Sequence, residues 1–365
     1  MPETDYLESY AALGAELRRQ GWFRKATGRL MLEFAFHLAT FAIGIVIAVN
    51  APNVWIWLSG VAINVLGATG ISTNTHTSAH FATSDRRWFN LLMAWIGYPV
   101  LGQFSISYWW KKHNNGHHRV PNVIGIDRDC DFMPLFAYCE RDVAGAGPIR
   151  RWYYKYQGAF LPVLALLHGV NIQTYDWRHL FGILRDPQHR RLLHWLDVFG
   201  LCLHWVLWIV IPAMFYPLGY VILFHVVHRA FFGVAMFVMF APAHYPAEAV
   251  ALDTSELKND PLLTQAAATV NFRTGCIGRL YCAGVEYQIE HHFFPGISHT
   301  HYPKIAPLVR AFCERHGYPY RTLGWGEALW KSYMTFWRPK PVLSDLEMPP
   351  AEHARKAIHP SHGWS

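Results

Sequence analysis

Histidine carries the first chemical signal in this chain. The sequence contains His76-Thr-Ser-Ala-His80, His113-Asn-Asn-Gly-His117-His118 and Gln288-Ile-Glu-His291-His292. Residues three or four apart share one face of a helix. His76 with His80, His113 with His117, and Gln288 with His291 and His292 can therefore each aim at one point. A single HxxxH pair is weak evidence, since two unrelated histidines often fall at that spacing. Three groups carry more, because packing needs no such repetition and a charged surface is better served by Lys or Arg. Imidazole suits iron, zinc, copper or nickel, whereas a structural zinc uses four ligands, usually including Cys. The histidines in these boxes are too many for one ion and suit two. Soluble carboxylate di-iron bundles use Glu-x-x-His pairs, and the sequence contains none. The reading that remains is a dinuclear iron centre held wholly or almost wholly by histidine.

Helices must bring these boxes together. No Asp, Glu, Lys or Arg lies between Glu33 and Asp85, and only Arg229 interrupts the stretch from Asp197 to Glu248. A membrane span takes about 20 residues, so each stretch holds two. The first divides into Phe34 to Val49 and Val54 to Ile71 around Asn50-Ala51-Pro52-Asn53, and the second divides at Tyr216-Pro217-Leu218-Gly219. The expected architecture is all-α and integral to a membrane, with four transmembrane helices in two hairpins and a cytosolic helical cap. Arg18, Arg19, Arg24, Lys25 and Arg29 precede the first span and neither turn contains Lys or Arg. That bias places both termini and all three boxes in the cytosol.

Leu91 to Phe104 and Gly158 to Val170 are short for a crossing and are broken by Gly97, Pro99, Gly102 or Pro162, so they read as interfacial helices. Within one domain over 1–365, residues 1–30 form an amphipathic amino-terminal segment with Tyr6, Tyr10, Leu13 and Leu17 on one face. Residues 34–71 form the first hairpin, 72–196 carry the first two boxes, 197–242 form the second hairpin, and 243–365 carry the third box and the tail. The tail from Pro303 to Trp337 could rest on headgroups or pack on the cap. His244 falls where the fourth span should emerge beside the boxes and is a candidate eighth ligand. His225, His228 and Arg229 share one face of that span, either as a functional trio or as an internal polar contact.

Composition fits a lipid setting. The chain is 52% apolar and 16% charged, against about one quarter charged in an ordinary soluble domain. Its net charge of +7 suits anionic headgroups, and no basic run interleaved with aromatics points to a nucleic-acid partner. Six cysteines without a CxxC pair exclude a disulfide scaffold and make a reducing compartment the default. Met1 to Leu30 has no signal-peptide core.

At its boxes the chain resembles the membrane fatty acid desaturases, and within them the front-end branch with its related sphingolipid enzymes. The resemblance rests on Asn74-Thr-His-Thr-Ser-Ala-His80, on Trp109 through Asn122 followed by Asp127 and Asp129, and on Gln288-Ile-Glu-His-His-Phe-Phe-Pro295, continuing through His301 and Pro303 to Leu308. It spans about Ala11 to Tyr320, and glutamine at the head of the third box marks the front-end type. It implies that His76, His80, His113, His117, His118, His291 and His292 are catalytic iron ligands. Gln288 stands where relatives have a histidine ligand, and His244 would be the ligand after the fourth span. It further implies two non-haem irons, dioxygen as co-substrate, and two external electrons. Front-end members often carry a fused b-type cytochrome, but no His-Pro-Gly-Gly haem motif occurs. Electrons are therefore expected from a separate ferredoxin or cytochrome with its reductase.

The implied reaction removes hydrogens from adjacent carbons of a lipid acyl chain to leave a cis double bond. Asp127, Asp129 and Glu290 are candidates for orienting imidazoles, or else serve as caps and solvated acids. A hydroxylase on the same site is the nearest rival. A metal transporter is a poorer one, because such proteins place polar residues at the midplane of broken spans. Zinc in isolated protein would be compatible with an iron enzyme, since it outcompetes ferrous iron.

Overall fold

The computed structural model describes residues 3–254, 260–344 and 346, with side chains from residue 8 onward. The side chain of Tyr6 and the tail beyond 346, both included in the expected layout, lie outside the described residues. Among the described residues, four helices are long and apolar enough to cross a membrane: Thr27–Val49, Val54–Ala79, Leu192–Ala213 and Leu218–His244. They are the first to fourth long helices below.

The first two long helices pack antiparallel at very short range. A Cβ on Gly44 would lie 2.2 Å from the Asn64 backbone, on Gly67 2.3 Å from Phe41, and on Gly60 2.6 Å from Ala48. Positions rise along one helix as they fall along the other, and small residues let the backbones meet as in other lipid-facing helix pairs. Asn64 Nδ2 adds a buried bond to Phe41 O at 2.8 Å. Asn53 starts the second long helix by accepting from the amides of Trp55 and Ile56 at 3.1 and 3.0 Å.

The second long helix runs past its expected end at Ile71 to Ala79, so His76 sits in its last turn and His80 caps it. The run from Ser72 to Ala79 is polar, which ends the apolar signal, but it holds no Gly or Pro to end the helix. Thr69 and Thr73 bond back to carbonyls one turn earlier, at 2.8 and 3.2 Å. The third long helix begins at Leu192, before Asp197, and passes through a π-helical turn at Val206–Val210 just ahead of Pro212.

Around these lie shorter helices. Arg87–Trp95 continues into a π-helical turn, Ile96–Gly102, packed on the second and third long helices. Gln157–Ala165 and His168–Leu184 leave Val163, Leu167 and Phe181 more than half exposed. Tyr10, Leu13 and Leu17 of the first helix, Glu3–Arg19, pack against Phe293, Phe294, Ile305 and Phe312, so protein rather than headgroups covers this stripe. Tyr302–His316 shares that core, and Trp325–Thr335 packs on the fourth long helix.

The chain is mostly helical, but Ala251–Leu252 pairs in parallel with Val342–Leu343, and Asn271–Arg273 with Thr322–Gly324. These strands are too short to show a period, and they form because segments crossing the cap need backbone partners.

Gly67→Val should force the first two long helices apart. An overpacked contact of this kind costs about 1–3 kcal/mol, and thermal unfolding in detergent should show a lowered midpoint relative to the parent chain.

Candidate metal centre

The boxes are presented by elements of different geometry. The second box follows the short helix Ile106–Trp109, which continues as a π-helix over Trp110–His117. Asp197 of the third long helix anchors its start, accepting from the amides of Ile106 and Ser107 at 3.2 and 2.9 Å and from the hydroxyls of Ser105 and Ser107. The third box lies on Gln288–Phe293, and His244 is the last residue of the fourth long helix.

The side chains converge into two adjoining groups. His76, His80, His113, His118 and His291 form one, and His117, His244 and His292 the other, with the ligand atoms of each within 4.8 Å of one another. In the first, His113 Nε2 lies 2.9 Å from His76 Nε2 and 3.1 Å from His118 Nε2, and His118 Nε2 lies 3.0 Å from His291 Nε2. In the second, His117 Nε2 and His244 Nε2 are 3.2 Å apart, and Gln288 Nε2 lies 2.8 Å from His244 Nε2. The groups adjoin where the His118 and His292 rings stack at 4.4 Å.

This arrangement corrects the expectation that each box aims at one point. His113 and His117 present their Nε2 atoms to different groups, although both rings also lie beside Asp129. The π-helix bonds residues five apart, shown by His118 N on His113 O at 2.8 Å, and it is His113 and His118 that face the same group. In the third box Gln288 and His292, four apart, serve one group while His291 turns to the other.

Do these residues fit a metal? His117 Nδ1 lies 2.8 Å from Asp127 Oδ2, His292 Nδ1 2.6 Å from Gln265 Oε1, and His244 Nδ1 3.2 Å from Ala268 O. His291 Nδ1 lies 3.1 Å from the Tyr302 hydroxyl. An Nδ1–H that donates to an oxygen leaves Nε2 with a lone pair and no proton. His117 and His244, both so fixed, then bring two Nε2 lone pairs within 3.2 Å of each other, an arrangement that a cation between them would make favourable. The buried atoms His80 Nε2, His292 Nε2 and Gln288 Oε1 have no hydrogen-bond partner, again as metal ligands would. The residues fit two cations held by nitrogen.

Electrostatics favour neutral imidazoles. Burial, reinforced by neighbouring histidines, holds His118, His291 and His292 well below the ordinary histidine range, and burial takes His113 down to about 4. Burial also opposes charge on His117, but Asp127 and Asp129 outweigh it and raise its pKa. Asp127 therefore both fixes this ring and increases its basicity. Asp129 stands 3.6 Å from His117 Nδ1 and 3.8 Å from His113 Nδ1, with Lys112 at 2.5 Å. Glu290, the third candidate acid, is turned away from the imidazoles. It hydrogen-bonds Tyr320 at 2.5 Å and Asn271 at 2.8 Å, clamping the backbone beneath the box.

Other supports had no signal in the sequence. Gln265, Ala268 and Tyr302 reach the rings only through the tertiary fold. His299 bridges Glu33 at 2.9 Å and Thr77 at 2.8 Å, tying the third-box segment to the turn carrying His76. Of the polar trio on the fourth long helix, Arg229 donates to Gly102 O at 3.0 Å and Gly169 O at 3.1 Å, the internal contact. His225 packs beside His204 and Trp205, and His228 among Phe41, Phe224 and Phe232.

With this geometry in place, comparison with known proteins identifies the class. A family model described as Fatty acid desaturase matches residues 52–324, and the chain belongs to that family of oxidoreductases. A Delta(8)-fatty-acid desaturase of Euglena gracilis is 30% identical over 68% of this chain, which spans only 59% of the Euglena protein's length. An sn-1 linoleoyl-lipid 6-desaturase of Arthrospira platensis is 28% identical over 80% of each chain. A Delta(5) fatty acid desaturase of Caenorhabditis elegans is 28% identical over 70% of this chain and 57% of its own. These relatives are of the front-end type, as Gln288 implied.

Asp127→Asn should weaken metal binding at the His117, His244 and His292 group by about 10- to 100-fold. Competition with a chelator, read by elemental analysis, should show one of two equivalents leaving early.

Proposed function

We propose that this protein is an O2-dependent acyl desaturase of lipid membranes, placing a cis double bond in a lipid acyl chain. The observation that carries this reading is the meeting of eight imidazoles in two adjoining groups, their Nε2 atoms facing one another. On this reading His76, His80, His113, His118 and His291 hold one iron, and His117, His244 and His292, with Gln288 as a candidate, hold the second. Two irons held there would supply the activation of dioxygen that no side chain provides.

The balance of the reaction sets the protein's tasks. A CH2–CH2 unit, one O2, two electrons and two protons become CH=CH and two waters. Electrons come from a ferredoxin or cytochrome with its reductase. The residues around the boxes keep the imidazoles fixed, and burial keeps His118, His291 and His292 neutral. Trp109, whose ring lies 4.5 Å from His113 and 5.3 Å from His80, contributes an apolar wall against the first group, where an alkyl chain rather than water is the suitable neighbour. Four apolar helices in two hairpins anchor the site at the lipid surface, and the basic residues before the first span favour a cytosolic cap and cytosolic termini.

Lipid profiling of a host that expresses the chain with a suitable electron donor tests the proposal. A new unsaturated acyl species should appear, and His291→Ala should abolish it with loss of metal while the protein still inserts. A hydroxylated lipid without a new double bond would instead establish the hydroxylase reading.

A further inference from the structure

Lys340 is almost fully buried, and nothing in the sequence marked it out. Its ammonium donates to His244 O at 2.9 Å, to the Tyr138 hydroxyl at 2.8 Å and to Ala249 O. Three oxygens match the three donors of an ammonium. A buried cation is costly unless it is hydrogen-bonded in this way. Its main chain is fixed on both sides, Lys340 N on Tyr138 O at 3.0 Å and Glu140 N on Lys340 O at 2.8 Å. The following strand, Val342–Leu343, pairs with Ala251–Leu252.

The oxygen this lysine holds belongs to a histidine of the metal centre. His244 closes the fourth long helix, and the last carbonyls of a helix lack partners within it. Val270 N takes Ala243 O at 2.9 Å, and Ser332 Oγ takes Ala241 O at 3.0 Å. His244 O receives Lys340, the Tyr138 hydroxyl at 3.0 Å and Asn122 Nδ2 at 3.0 Å. A cation also suits the negative end of a helix dipole. The His244 ring has only two side-chain torsions between this carbonyl-bearing backbone and Nε2, so fixing the carbonyl limits where Nε2 can point.

We infer that Lys340 is a positioning residue for the second metal group: the carboxy-terminal strap reaches back through the cap and locks the backbone of His244. The inference rests on the reading that His244 is a metal ligand. A cap of that helix end serving stability alone would act on fold without distinguishing the two metal groups.

The test uses the full chain in detergent, reconstituted anaerobically with ferrous iron and challenged with a chelator. Lys340→Met should lose one metal equivalent about tenfold faster than the parent chain, with the second equivalent retained. Ser332→Ala, which loosens the same helix end without touching His244, should keep both. Lys340→Gln, which retains a donor, should fall between and serves where the Met variant does not fold. Lys340→Met or Lys340→Gln holding both equivalents as firmly as the parent would overturn the inference, as would Ser332→Ala losing the same equivalent equally fast. His244→Ala separates the two ideas: loss of one equivalent there upholds the ligand reading even where Lys340 proves dispensable.

Discussion

Imidazole nitrogens facing one another near 3 Å are the constraint on which the rest of this structure depends. Where acceptors on Nδ1 fix both rings, as at His117 and His244, the Nε2 lone pairs repel each other, and low local polarity strengthens that repulsion. Positive charge at the centre would relieve it, and the residues around the rings keep the ligand nitrogens pointed inward. Acceptors on Nδ1 set the tautomers of His117, His244 and His292. Burial keeps His118, His291 and His292 from escaping the conflict by protonation, because a charged imidazole would itself be desolvated, whereas Asp127 and Asp129 favour the charged form of His117.

The long helices serve this centre through their ends. Glycines at 44, 60 and 67 fix how far the second long helix projects relative to the first, and that projection delivers His76 and His80. Asp197, a carboxylate on an otherwise apolar helix, spends its hydrogen bonds on the start of the segment bearing the second box. His299 spans Glu33 and Thr77 and so couples the third-box segment to both helices of the first pair. Polar residues within apolar sequence are expensive to bury, and Asp197 and Glu33 are committed to the segments that carry the boxes.

The legible part of this architecture was the part with a period or a long run. Four apolar stretches announced four long helices, and box spacing announced where the imidazoles would gather. The end of the second long helix was misplaced because polarity stops a hydropathy signal while Thr and Ser hydroxyls allow the helix to continue. The pairing of His113 with His118 was hidden because sequence spacing assumes an α-helical turn, and a π-helix moves the shared face from four residues on to five. Gln265, Tyr302 and Lys340 lie outside the boxes and carry no local pattern. Only the tertiary path, with its short parallel strands, brings Gln265 and Tyr302 to the rings and Lys340 to the His244 carbonyl.

The glutamine at position 288 meets His244 with an amide where a histidine would bring an imidazole. A histidine there would offer one lone pair or one N–H according to its tautomer. An amide carries a donor and an acceptor on opposite sides of one carbon, and exchanging them takes a single rotation. With Nε2 of Gln288 at 2.8 Å, the lone pair of His244 is satisfied by a hydrogen bond and the neighbouring Oε1 is buried without a partner. In this orientation a neutral side chain supplies the donor that the His244 lone pair faces, which a histidine could do from one tautomer only.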